Sequence, residues 1–366
     1  MTQTKITFGK PVGFRKELNR RVEAFFAAEN IPQRDCPEMY LKAAFIFLWT
    51  FGTWFAILFI PAAAPIKLLG CVFLAFAMSA FMFNIGHDAI HEGFSNNKYV
   101  NYFLGLTYDF MGVSSYLWRY RHNTLHHTYT NIPQHDVEID GDGWVRMFPA
   151  QEYRWFHRFQ HIYIWLIYSI VPLYWSYGDV EVTFKKGKYY DHPIPTMKLS
   201  EKLTLLAFKV VWIGYAIVLP LAIGYSPLEV LIGFLVTYIS YGIILNVVFM
   251  MAHVVEKAEF LTPGAETGAI EEEWAICQMR TTVDFAPNNA FINWYVGGLN
   301  YQVVHHLFPQ VCHIHYPKIA KILQEVSDEF GVEYKVYDTF REVLVSNYRL
   351  LKNFGAEARE LEMATK

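Results

Sequence analysis

The chain has 366 residues, 53% hydrophobic, 17% aromatic and 18% charged, with a formal net charge of -3. A mean hydropathy of +0.16, with charge-free windows alternating with ordinary polar sequence, excludes a simple soluble domain and points to an integral membrane protein with large aqueous lobes. The slightly acidic balance excludes nucleic acid as a partner, and the four cysteines, without C-x-x-C or zinc-like spacing, fit a reducing compartment and need no role.

Residues 1–40 are polar and basic, so no cleaved signal sequence is expected. Phe14, Leu18, Val22 and Phe25 or Phe26 recur at helical spacing, which predicts a short amphipathic helix on the cytoplasmic membrane surface, or one that is simply solvated. Residues 41–86 read as a first transmembrane hairpin, with spans over about 41–60 and 66–86 and an uncharged turn, Pro61 to Pro65. Residues 87–202 form a cytoplasmic lobe. Residues 203–252 are a second hairpin, with spans over about 203–223 and 228–252 and another uncharged turn, Gly224 to Pro227. Residues 253–366 form a second lobe, ending in two amphipathic helices over about 317–330 and 339–354. With outer turns free of charge, all Lys and Arg are expected on the N-terminal side. By the positive-inside rule that side is the cytoplasm, which holds both termini, and the membrane reads as a bacterial inner membrane.

Two further apolar stretches, 99–118 and 161–177, compete as spans. Crossing by either one alone, or by both, would strand histidine-rich segments on opposite sides of the membrane. Both are therefore expected as interfacial or buried helices. Trp165, Tyr174 and Trp175 suit the headgroup region.

Eight of the fourteen histidines stand in or beside clusters. His87 and His91 lie in HDAIH at the inner end of the second span. His122, His126 and His127 lie in HNTLHH, His305 and His306 in QVVHH, and His253 closes the fourth span. Histidines four apart on a helix face one way. Three such groups at one membrane face predict metal binding, and eight imidazoles exceed what one ion takes, so two metals are expected. Imidazole without a thiolate cluster suits iron, copper, zinc or nickel. His135, His157, His161, His192, His313 and His315 are read as non-ligands.

HDAIH, HNTLHH and QVVHH resemble, in order and spacing, the three histidine boxes of the membrane fatty acid desaturases, over residues 40–320. The glutamine opening the third box resembles front-end desaturases and bacterial linoleoyl-CoA-type enzymes. The resemblance implies an all-α membrane protein, with four transmembrane helices and a helical cytoplasmic domain carrying a histidine-rich di-iron site. It implies two iron ions, O2 as cosubstrate and two electrons per double bond. The ligands it implies are His87, His91, His122, His126, His127, His253, Gln302, His305 and His306. Gln302 stands where other members have histidine. His253 matches an additional histidine outside the boxes. The first-box histidines have three residues between them rather than the four of stearoyl-type enzymes. The asparagine expected four before His253 is replaced by Phe249, with Asn246 two turns before His253.

A ligating imidazole donates its second N–H to a carboxylate or carbonyl, which nominates Asp88, Asp136 and Asp284. Arg119 and Arg121 could grip the phosphates of coenzyme A or anchor the membrane surface. The expected function is desaturation of a fatty acyl chain, carried as acyl-CoA or acyl-lipid. A hydroxylase of the same superfamily and a non-redox membrane metal-binding protein are the alternatives. A transporter would set polar ligands at mid-membrane, whereas these boxes sit at span ends. No haem-binding His-Pro-Gly-Gly motif, dinucleotide fingerprint or cysteine cluster is present, so the electrons come from an external ferredoxin or b-type cytochrome.

Overall fold

The computed structural model describes residues 6–364; residues 1–5 and 365–366, which belong to the N-terminal segment and the second lobe, lie outside the described residues. Four helices are long and apolar enough to cross a membrane: Pro37–Phe59, Ala64–Ile90, Leu199–Ala222 and Pro227–Met250. They are the four spans that composition predicts, each starting one to four residues earlier. Proline at the first or second helical position opens spans one, two and four, where its missing N–H costs nothing. Ser226 and Glu229 add a reciprocal cap to span four: Glu229 N donates to Ser226 Oγ at 3.3 Å, and Ser226 N to Glu229 Oε2 at 2.8 Å.

Only 17% of the apolar window of span one and 11% of that of span three is buried in protein, against 67% for span two. Apolar surface left open on that scale is covered by lipid acyl chains. Spans two and four form the inner pair, joined by a contact of Tyr241 with Met82 and by Gly233 lying against Cys71.

Neither competing stretch is a fifth candidate span. Residues 99–118 break into short helices, Lys98–Gly105, Thr107–Phe110 and Ser115–Trp118. The second stretch lies in helix Gln160–Glu181, which packs on span four. There Asn246 Nδ2 donates to Tyr168 O at 3.1 Å and to Gly242 O at 2.9 Å, so Asn246 is occupied in hydrogen bonding the two helices. Ile162, Leu166 and Ile170 point outward along the opposite face, as an interfacial helix requires.

Two expectations are corrected. The apolar face of the N-terminal helix, Phe14–Glu29, is not open to lipid or solvent: Phe14, Leu18, Val22 and Phe26 are buried against Ala275, Met279, Ile319 and Leu323 of the C-terminal lobe. Protein and lipid cover an apolar stripe equally well, and here the protein does so. The cations are not all on one side either. Lys67 lies in the first turn of span two, at the end remote from the histidine boxes, its ammonium 4.5 Å from the Tyr225 ring centroid. The ring holds a charge that an apolar turn would leave unpartnered.

The C-terminal lobe ends in helices Tyr316–Phe330 and Phe340–Ala364, and a short parallel pairing of Asp284–Phe285 with Val336–Tyr337 ties it to the third box. Gly297 lets the loop before that box touch the end of span two: at φ +62°, a side chain there would come 2.6 Å from Phe83 O. Asn84 Nδ2 fixes the same junction by donating to Tyr295 O at 2.9 Å.

Candidate metal centre

The histidine boxes sit on helices of unusual pitch. Span two changes from α to π geometry over Met82–Gly86, directly before His87. The second box lies in a π-helical segment, Arg119–His126, running into His127–Tyr129. A π turn takes more residues than an α turn, so His122 and His126 stack 21° from parallel with ring centroids 5.2 Å apart, and His127 is turned to a different side. The third box is the short helix Gln302–Leu307. His253 stands in the turn after span four.

These elements bring the eight clustered histidines together as two groups. In one, His87, His91, His122 and His305 each place a ring nitrogen within 4.8 Å of the others; in the second, His126, His253 and His306 do the same, and all seven are buried. His127 lies between the groups, stacked on His306 with centroids 4.3 Å apart and with Nε2 3.0 Å from His305 Nε2. Gln302 reaches the second group, its amide Nε2 3.3 Å from His253 Nε2. A half-turn of the amide about its terminal bond presents the oxygen instead.

The residues fit metal ions. His91 Nε2 and His306 Nε2 are buried without a partner, a costly state for a polar atom. His87 Nε2 and His122 Nε2 face each other at 3.3 Å. Nitrogens about 2.1 Å from one cation, at angles near right or tetrahedral, stand about 3.0–3.4 Å apart. Burial pushes His91, His122, His127, His253, His305 and His306 well below the ordinary imidazole pKa, and the neighbouring histidines add to the effect. They are neutral at physiological pH, the state in which a ring nitrogen offers a lone pair.

The supporting partners agree only in part with the sequence-based nominations. Asp136 takes the expected place: both its oxygens lie 3.0 Å from His126 Nδ1. Burial opposes a charge on His126, but Asp136 outweighs it and raises the pKa. Holding the proton on Nδ1 leaves His126 Nε2 free to point into the second group. Asp136 is itself fixed by Asn131 N and Glu138 N, each at 2.9 Å.

Asp88 does not support a box histidine. Its Oδ2 is 2.8 Å from His313 Nδ1, because the one-residue step from His87 turns it to the opposite face. Asp284 partners no imidazole either. It caps the third-box helix, its Oδ1 accepting from Val303 N at 2.8 Å, while Tyr334 donates to its other oxygen. The partners that sequence reasoning missed are Gln278, whose Oε1 is 2.8 Å from His306 Nδ1, and Tyr316, whose hydroxyl is 3.3 Å from His305 Nδ1. Thr130 donates to Gln278 Oε1 at 2.9 Å. Thr130 had a local signal, since a hydroxyl four residues after His126 reaches back to its carbonyl. Gln278 and Tyr316 had none.

His313 and His315, read as non-ligands, lie outside both groups. Lys42 Nζ is 2.9 Å from His313 Nε2, and His315 Nε2 is 3.2 Å from Cys36 Sγ and 3.0 Å from Pro32 O. Arg121 is committed internally. Its Nε donates to Glu138 at 2.8 Å, and its guanidinium sits 4.5 Å and 4.4 Å from the Trp118 and Trp175 ring centroids. A buried ion pair of this kind does not fit a grip on coenzyme A phosphates. Arg119 lies apart from it, half-buried and without an ion pair among the described residues.

Comparison with known proteins agrees with this geometry. Residues 63–338 match the family described as fatty acid desaturase. The chain is 56% identical to a Synechocystis protein named sn-1 linoleoyl-lipid 6-desaturase, over 97% of this chain and 99% of that one. It is 55% identical to the Arthrospira platensis protein of the same name, over 100% and 99%. A Physcomitrium patens acyl-lipid (8-3)-desaturase is 32% identical over 92% of this chain and 71% of its own length.

Proposed function

The chain belongs to the fatty acid desaturase family, an oxidoreductase family acting on fatty acyl chains, and from that premise we propose that it forms a double bond at carbon 6 of linoleoyl chains esterified in membrane lipids. The lipid-borne substrate is supported by the names of the two relatives above 50% identity, and the internal commitment of Arg121 removes one of the two arginines expected to meet coenzyme A phosphates. The observation that carries the reading is the pair of buried histidine groups where spans two and four leave the membrane.

The ligand roles follow from the grouping. His87, His91, His122 and His305 would hold one iron and His126, His253 and His306 the second, with His127 between the groups and Gln302 beside His253. When bound, the irons supply O2 activation and removal of two hydrogens from adjacent methylenes. The overall reaction consumes one acyl chain, O2, two electrons and two protons, and yields the alkene and two waters. The electrons come from an external ferredoxin or b-type cytochrome docking on the cytoplasmic lobe.

The protein's own part is to fix ligands, hold the chain and exclude water. Asp136, Gln278 and Tyr316 orient three of the imidazoles. A cavity of about 310 Å³ among the four spans, lined by Trp54, Leu74, Met78 and Phe234, offers room for the methyl-terminal part of the chain. Its inner end at Met78 is about 14 Å from His87 along the span, at about 1.5 Å per residue. Both lobes and both termini lie in the cytoplasm, and the membrane is a bacterial inner membrane.

The test is expression in a host that contains linoleate but forms no double bond at carbon 6. Mass spectrometry of the derivatised lipids should show that bond in intact glycerolipids without prior labelling of the acyl-CoA pool. A hydroxylated chain would assign the superfamily alternative, and product appearing first in acyl-CoA would overturn the lipid-borne substrate.

A further inference from the structure

A double bond that begins at carbon 6 lies only five bonds from the ester carbonyl. The ester must then sit beside the histidine groups, in contrast to an enzyme working at mid-chain. An ester oxygen brought into a buried site without a donor loses its hydrogen bonds to water uncompensated, so the site needs an uncommitted donor next to the boxes.

Most nearby donors are committed. Arg121 serves Glu138, Asn123 Nδ2 donates to Ile90 O at 2.8 Å, and Lys42 lies against His313. Arg119 is different. Its Nε has no hydrogen-bond partner and its guanidinium forms no ion pair among the described residues; Glu92 and Asp109 are near enough to feel its charge. It opens the π-helical segment that carries His122 and His126. Its guanidinium packs where helix Lys98–Gly105 meets the first box: a Cβ on Gly105 would lie 3.0 Å from Arg119 Nη2 and 3.4 Å from Ile90 Cγ2, and Ile90 precedes His91. On the outward side the same helix exposes Tyr99, Tyr102 and Phe103. Aromatic side chains of that kind mark the depth at which lipid glycerol backbones lie.

We propose that Arg119 binds the ester oxygens of the substrate lipid and so sets the carbon at which the double bond forms. The inference rests on the carbon-6 acyl-lipid reading and adds the positioning residue that measures the distance. The guanidinium fork can engage two oxygens at once, which fixes direction as well as position. Gly105 keeps the approach open, and the chain runs from Arg119 past the histidines into the span bundle.

The test uses the full-length enzyme in lipid nanodiscs, with neutral galactolipid and anionic phosphatidylglycerol substrates carrying the same linoleoyl chain. Arg119→Gln should retain its iron, raise KM about tenfold to a hundredfold, as expected for a lost charged hydrogen bond, and spread the new double bond over neighbouring carbons. Both substrates should suffer equally. Arg119→Lys should recover part of the KM but less of the positional control. Gly105→Leu, which keeps the charge and displaces the guanidinium, should spread the position in the same way. Normal KM and position in Arg119→Gln, or activity lost together with iron, overturns the assignment. An effect confined to phosphatidylglycerol also overturns it, in favour of a headgroup phosphate. If the unaltered enzyme forms no bond at carbon 6, the functional reading fails first and independently of any substitution.

Discussion

At the scale of single residues, His253 is the sharpest case, because it stands outside every box. Its ring lies 4.6 Å from that of His126 and 4.9 Å from that of His306, centroid to centroid. A histidine that merely finishes a helix is replaceable at about 1 kcal/mol, whereas a ligand is not. His253→Ala should remain folded and membrane-inserted but lose desaturation and iron. His192→Ala, away from both groups, should keep both. An iron analysis and a lipid profile of the two variants decide it, and near-normal turnover in His253→Ala would return that histidine to a capping role. Asp136 is the second case. Asp136→Asn removes the carboxylate that fixes the His126 tautomer, and outer partners of this type contribute about 10–100-fold to metal affinity. The variant should surrender iron to a chelator at correspondingly lower concentration, while Asp284→Asn, whose native side chain caps a helix instead, should change stability more than metal retention.

At the scale of elements, the spans were legible and their details were not. Twenty apolar residues between polar flanks have one explanation in a chain of this composition, and proline and serine mark where three spans begin. The histidines were legible by type and spacing, yet their division into two groups was not. The boxes lie at π turns, Met82–Gly86 and Arg119–His126, and a phase shift confined to one or two turns is too local for hydrophobic periodicity to report. Asp88 faces His313, 225 residues away in sequence, a pairing no local pattern reveals. The N-terminal helix was legible as amphipathic, but an apolar stripe does not say what covers it.

The junction of span four with helix Gln160–Glu181 gives an element-scale prediction. A Cβ on Gly242 would lie 2.5 Å from Ser169 O and 2.6 Å from Tyr168 O, and backbone cannot turn aside as a side chain can. Gly242→Ala should lower the thermal unfolding temperature in detergent, by an overpacking cost of about 1–3 kcal/mol. Gly178→Ala, on the same interfacial helix with nothing within 4 Å of the added carbon, should be neutral or slightly stabilising. Equal behaviour of the two would show that the helices part easily there.

At the scale of the whole molecule, the metal groups and the membrane constrain each other. All ligand-bearing segments meet, so they share one side, and four crossings deliver them there. Spans two and four run in the same direction, which places His87 and His253 at one surface. If the histidine groups face the cytoplasm, as proposed, the outer ends are the exposed turns around Ala63 and Pro227, and Lys67 with its tyrosine belongs to the same face. Native Cys36, Cys71, Cys277 and Cys312 are all buried, so a membrane-impermeant thiol reagent meets little background. Single cysteines at Ala63 and Pro227 should be labelled from outside intact spheroplasts. Cysteines at Glu152 and Lys188, in the lobe that carries the second box, should be labelled only after lysis. Labelling of both Glu152→Cys and Ala63→Cys in intact cells would put the second box across the membrane from the first. No arrangement of four spans survives that result, since His87 and His122, whose Nε2 atoms lie 3.3 Å apart, could not then meet.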